Sequence, residues 1–194
     1  MVQTAKELQE VRLFVAIEFS DRVRSVLRKV QEGLRPQCDG VRWIPAEQVH
    51  VTVKFLGEVP DKKVNDVATA VTRAVADVSP FTVEIGGCGC FPPRGRVRIV
   101  WAGMREATGE LLKCAQSVEE AMADLGFPKE RRRFSPHVTI GRVREDLSGG
   151  RNRSAVEAFT FEPVEQEVDS ITLMSSVLSS KGPTYTPVST TNLG

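Results

Sequence analysis

Phe134-Ser135-Pro136-His137-Val138-Thr139-Ile140-Gly141-Arg142 holds one of the two histidines in this chain. The other lies in His50-Val51-Thr52-Val53-Lys54-Phe55. Both therefore stand in the same tetrapeptide, His-Val-Thr-aliphatic. The alternation suits a β-strand, with His and Thr on one face and Val and Val or Ile on the other. An imidazole and a hydroxyl two residues apart then share a surface. If the two strands face each other, two imidazoles and two hydroxyls line a groove. A lone histidine on a strand face is most often an ordinary half-buried residue. Core packing gives no reason for the only two histidines to occupy matching contexts, so the repeat points to acid–base chemistry on an anionic substrate.

Outward from these motifs, the chain alternates strands and helices. Val11–Phe19 is dense in β-branched and apolar residues and reads as a buried strand. Ser20 or Asp21 can cap a helix carrying Val23, Val26, Leu27 and Val30, with Gly33 as its stop. Val41–Ile44 is a short extended piece, and Val49–Leu56 is the first histidine strand. A second helix opens at Pro60-Asp61 and runs toward Val78. Phe81–Ile85 is a strand, and Gly86–Arg96 reads as a loop whose glycines fit no phosphate-binding fingerprint. A strand over Val97–Ala102 precedes a helix over Glu106–Leu125. Asp146–Arg153 reads as a flexible polar loop, with a weak helix over Ser154–Ala158. Phe159–Phe161 and Val168–Leu178 are closing strands, followed by a turn over 179–183 and a short strand over Thr184–Val188. The tail at 189–194 is expected to be flexible. This is an α+β order. In both halves a strand and a helix precede the histidine strand, which suggests a duplicated unit.

The 194 residues suffice for one core, or for one compact body of two lobes. The content, 41% hydrophobic and 26% charged, is that of an ordinary globular protein. A net charge of +1 supplies no global field for nucleic acid, so any RNA contact must rest on a local patch. No apolar run approaches a membrane span and no leader pattern opens the sequence, so a cytoplasmic location is expected. Cys38, Cys88, Cys90 and Cys114 lack the spacing of a redox or zinc pair and read as small buried residues.

The two motifs could act on a phosphodiester without a metal. One group must deprotonate the attacking water and another must protonate the leaving oxygen. Histidine serves both because its pKa of about 6.5 leaves both forms accessible near neutrality. Thr52 and Thr139 could donate to the non-bridging oxygens, while Lys54 and Arg142 could offset charge building on phosphate. Strict alternation puts Lys54 on the His50 face. It puts Arg142 on the face away from Thr139 unless Gly141 introduces a bulge. A metal centre fails on ligand supply: two histidines do not by themselves make a zinc or di-metal pattern, and remote Asp or Glu would have to complete one. No Gly-x-Ser-x-Gly elbow appears. Arg131-Arg132-Arg133 could hold phosphates or simply be solvated. Phe134 and Trp43 could stack on bases or belong to the core.

At these residues the sequence resembles the two-histidine (2H) phosphoesterase superfamily, defined by two His-x-Thr/Ser-x motifs. Within it the sequence is similar to the RNA 2′,3′-cyclic phosphodiesterases, historically called 2′-5′ RNA ligases. The flanks share the likeness: Arg12–Ile17, Val41–Pro45, Lys54–Gly57, Gly89–Pro92, Trp101–Gly103, Phe134–His137 and Ser176–Tyr185. The resemblance covers essentially the whole chain, 1–194, as one bilobal domain. It implies two antiparallel β-sheets related by pseudo-two-fold symmetry and facing a central cleft, with helices on the outside. It implies opening of RNA 2′,3′-cyclic phosphate ends to a 2′-phosphate, with no cofactor and no metal. By the same likeness His50 would be the general acid and His137 the general base. Thr52, Thr139 and Arg142 would hold the phosphate, and Arg132 is the best match in the arginine run to a family position. The implied partner is RNA with a cyclic phosphate end, tRNA fragments among the candidates, with no membrane and no obligate protein partner. Three alternatives stay open: a 2′-5′ RNA ligase, a phosphodiesterase for another 2′-5′ or cyclic nucleotide, and a non-catalytic RNA-binding module.

Overall fold

β1 (Glu10–Glu18) is apolar at successive positions because both of its faces are covered. Leu13, Val15 and Ile17 enter the main core together with Val23, Leu27 and Val30 of α1 (Asp21–Leu34). Phe14 and Ala16 point the other way and form a smaller cluster with Met174, with Tyr185 against it. The structure, a computed structural model, describes residues 9–180 and 182–194.

The remaining elements are β2 (Val41–Trp43), β3 (His50–Pro60), α2 (Val64–Ala74), β4 (Phe81–Phe91) and β5 (Ile99–Glu106). They continue with α3 (Glu110–Asp124), β6 (His137–Val143), α4 (Arg151–Ala158), β7 (Val164–Val168), β8 (Ser170–Ser179) and β9 (Gly182–Asn192). Two antiparallel sheets result, ordered β3-β1-β8-β9 and β2-β6-β5-β4-β7. Strand for strand, β3-β1-β8-β9 matches β6-β5-β4-β7, and β2 is an added edge. Each histidine strand pairs with a strand that precedes it across a helix. Glu18 lies opposite His50 and Ala16 opposite Thr52. Gly103 lies opposite His137 and Trp101 opposite Thr139. The repeat expected from the two motifs is thus a repeat of sheet topology and register.

Several local expectations change. α1 continues past Gly33 to Leu34: the glycine is not a helix stop but a contact point, with the ring of Phe159 lying on it where a Cβ would come within 2.6 Å. The glycine-rich stretch read as a loop is largely strand, since β4 runs to Phe91 through a register shift between Ile85 and Cys88. Its glycines admit close neighbours: the indole of Trp101 lies on Gly89, and the Gly86 carbonyl approaches Gly103. α3 begins only at Glu110, because Glu106 ends β5 and its carboxylate accepts from the N–H groups of Gly109 and Leu111. Val168 and Ser170 belong to different sheets, with Asp169 the crossing point between β7 and β8. The segment 189–194 is no loose tail. Ser189–Asn192 pairs with β8, Leu193 is buried, and its N–H donates to the Asp169 carbonyl at 2.7 Å. The turn expected over 179–183 includes Lys181, which lies outside the described residues; Ser179 and Gly182 pair on either side of it.

Candidate active site

β3 and β6 both begin at their histidine, and the two rings are held alike. His50 Nδ1 lies 2.9 Å from the carbonyl oxygen of Gln48, and His137 Nδ1 lies 2.8 Å from that of Ser135. In each case the acceptor is two residues upstream. A carbonyl can only accept, so Nδ1 carries the proton and Nε2 is left with its lone pair in the neutral ring. Aromatic rings complete both seats. Phe14 lies 4.9 Å from the His50 ring and Tyr185 meets it edge-on at 5.0 Å. Phe91 meets His137 edge-on at 5.0 Å and leans on Trp101 at 5.4 Å.

His50, Thr52, His137, Thr139 and Arg142 line one pocket of about 50 Å³, together with Ile44, Gln48 and Tyr185. Whole-ligand pockets run to about 300–1,000 Å³, so this space is on the scale of a single tetrahedral group. Burial pushes the pKa of His50 down, and the positive charge of Arg142 adds to that. The Gln48 carbonyl and the Glu18 carboxylate act in the opposite direction.

Arg142 reaches the pocket because β6 bulges. Thr139 pairs with Trp101 and Gly141 with Val100, so Ile140 is the extra residue, and the shift returns Arg142 to the face of His137 and Thr139. Gln31, buried on α1, supports the spot by donating to the carbonyls of Ile44 at 2.6 Å and Ile140 at 2.8 Å. A second bulge has the opposite effect on Lys54. Thr52 pairs with Ala16 and Lys54 with Val15, leaving Val53 over, so Val53 and Lys54 are both buried. Lys54 is 2% exposed, and its Nζ donates to the Pro128 carbonyl at 2.8 Å and pairs with Glu119 at 2.9 Å. The expectation that Lys54 binds phosphate is corrected: it ties β3 to α3.

Of the aromatic candidates, Trp43 lines an adjoining pocket of about 200 Å³ with Arg42, Arg142, Gln48 and Tyr185. Phe134 packs against the main core and lines a separate groove beside the start of α3. Arg132 is exposed and lines neither histidine-side pocket. Sequence reasoning missed Tyr185, Gln48 and Arg42. Tyr185 is the single tyrosine of the chain, a signal available in composition alone. Gln48 bears on the site through a backbone carbonyl, which no side-chain pattern reveals. Burial raises the thiol pKa values of Cys88 and Cys114 to about 12 and of Cys90 to about 11. Among the described residues, no group of three or more His, Cys, Asp or Glu is arranged to hold a metal ion.

The family model of the 2′-5′ RNA ligase superfamily matches residues 13–178. The chain belongs to that superfamily. The 2H resemblance carried by its two motifs therefore holds along the chain. Superfamily relatives named RNA 2′,3′-cyclic phosphodiesterase include one from Archaeoglobus fulgidus, 33% identical over 90% of this chain and 96% of the relative. Another, from Thermotoga maritima, is 31% identical over 90% of this chain and 91% of the relative. Among solved structures, TT0787 of Thermus thermophilus superposes with a TM-score of 0.77 at 29% identity, covering 94% of this chain and 97% of that one. E. coli LigT complexed with 3′-AMP gives 0.75 at 26%, covering 95% and 99%.

Proposed function

We propose that this superfamily member hydrolyses RNA 2′,3′-cyclic phosphate ends to a 2′-phosphate, without a metal, using its two histidines as acid and base. The observation that carries this is the matched seating of His50 and His137 in one phosphoryl-sized pocket, each with Nδ1 tied to a carbonyl and Nε2 available. His137 Nε2 takes a proton as a water oxygen bonds to phosphorus. The P–O3′ bond breaks, and His50 gives its Nε2 proton to the departing 3′ oxygen. The product is a 2′-phosphomonoester beside a free 3′-hydroxyl. Thr52 and Thr139 donate to the non-bridging oxygens, and Arg142 offsets the charge that builds there.

Burial holds His50 toward its neutral form in the free protein, whereas the acid must begin protonated. An anionic phosphodiester opposes that: its charge favours imidazolium, and pairing with Arg142 removes one of the influences holding His50 down. The same downward shift favours the exchanged roles as a second reading. A substrate with sulfur in place of the 3′ bridging oxygen separates them, because a thiolate leaves without a proton. It rescues whichever histidine variant lacks the acid.

The relatives named RNA 2′,3′-cyclic phosphodiesterase and the LigT complex with 3′-AMP support RNA as the substrate class. The test is an oligonucleotide ending in a 2′,3′-cyclic phosphate, incubated with and without EDTA. Ring opening to a 2′-phosphate should survive the chelator and fall about 10²–10⁴-fold in both His50→Ala and His137→Ala. Opening abolished by EDTA would overturn the metal-free mechanism.

A further inference from the structure

Arg42 and Arg142 stand directly opposite each other on β2 and β6. Both are exposed. Opposed residues of an antiparallel pair have Cβ atoms about 4.5–5.5 Å apart. β2 contributes only three residues to the sheet. Both side chains line the pocket of about 200 Å³ together with Trp43, Gln48 and Tyr185. Arg142, Gln48, Ile44 and Tyr185 border this space and the histidine pocket alike, so the two adjoin. Gly182 makes room for Arg42. A Cβ there would lie 2.6 Å from Arg42 Nη2, and its φ of +121° is one that other residues rarely adopt.

A guanidinium fork beside a phosphoryl pocket suits an anion that presents two oxygens for bidentate acceptance. The neighbouring phosphate of an RNA strand is such an anion. It is covalently fixed one nucleotide away from the cyclic phosphate, within reach of arginines on adjacent strands. We propose that Arg42 binds the phosphate on the 5′ side of the terminal nucleotide, so that the site selects a chain end over a bare cyclic nucleoside. The proposal rests on the phosphodiesterase assignment and adds the residue by which a chain end is told from a bare cyclic nucleoside.

The test compares adenosine 2′,3′-cyclic phosphate with and without a 5′-phosphate, for the wild type, Arg42→Ala and Arg42→Lys. The 5′-phosphate should raise kcat/KM of the wild type about tenfold, mainly through KM. That ratio should fall to about one in Arg42→Ala and stay intermediate in Arg42→Lys. With a short oligonucleotide, the slope of log KM against log salt should shrink by about 0.7 in Arg42→Ala, one phosphate contact fewer. A wild type indifferent to the 5′-phosphate overturns the proposal, as does an Arg42→Ala that slows both substrates equally and keeps their ratio. Calorimetry of adenosine 2′-phosphate and adenosine 2′,5′-bisphosphate decides the matter without turnover. Equal affinity of the wild type for the two overturns the Arg42 subsite. Absent ring opening with a retained bisphosphate preference overturns the phosphodiesterase assignment alone.

Discussion

His50 is enclosed by Phe14, Tyr185 and the Gln48 carbonyl, and this enclosure has a sign in two measurements. With only two histidines in the chain, an NMR titration of the free protein shows two sets of ring signals. The His50 set should titrate below the ordinary value of about 6.5 because burial opposes its charge. Arg142→Gln should move that midpoint upward, since Arg142 is one of the groups holding it down. Stability follows by linkage. The unfolded chain takes up the His50 proton at a higher pH than the folded one does. The stabilisation is therefore complete above about pH 6.5 and is lost as pH falls through the folded value. Urea midpoints at pH 7.5 and pH 5.5 should accordingly converge more in His50→Gln than in the wild type. At this scale the pairing of His-x-Thr motifs is legible in the sequence, because residue type alone carries it. The contribution of Gln48 is not, because a main-chain oxygen leaves no trace in side-chain chemistry.

Elements obey alternation until a bulge intervenes, and two bulges decide which cation lines the histidine pocket. The one in β6 has a visible cue, Gly141. A Cβ there would come within 2.7 Å of Val41 and 3.3 Å of Trp43, so the backbone approach needs glycine. The one in β3 has no such cue: Val51-Thr52-Val53-Lys54 alternates without a break, and the slip appears only in its pairing with β1. Alternation misplaces Lys54 for that reason. Lys54→Met should cost about 1–3 kcal/mol of stability, since it removes a charged donor from Glu119 and the Pro128 carbonyl. The kcat/KM of the folded protein should remain near that of the wild type. A large loss of kcat/KM with unchanged denaturation would return Lys54 to the phosphate. The stretch Gly86–Phe91 misleads for a related reason: in isolation, glycines that fit under Trp101 and against another backbone look like a loop.

For the whole molecule, the α+β order and the duplicated strand–helix–strand unit are readable from periodicity. The long-range closure of the first sheet is not. β9 is an edge strand, exposed along much of its length, so Ser189-Thr190-Thr191-Asn192 lacks the apolar alternation that marks a strand. Yet it pairs with β8 and ends at the buried Leu193. Deleting residues 189–194 should therefore lower the melting temperature by several degrees, with about 2–4 °C expected for each kcal/mol lost at this chain length. An unchanged melting curve would make the segment the tail it resembles.

The two sheets differ in how they are drawn from the chain. Apart from the short β2, the second uses one unbroken stretch, 81–168, while the first joins residues 10–60 to residues 170–192. During synthesis the His137 sheet can assemble as soon as its own strands emerge. β1 and β3 must wait for β8, and Tyr185 closes over His50 later still. The pocket is therefore complete only when β9 has left the ribosome, and a nascent chain stalled before that point carries both histidines but lacks the ring that closes over His50.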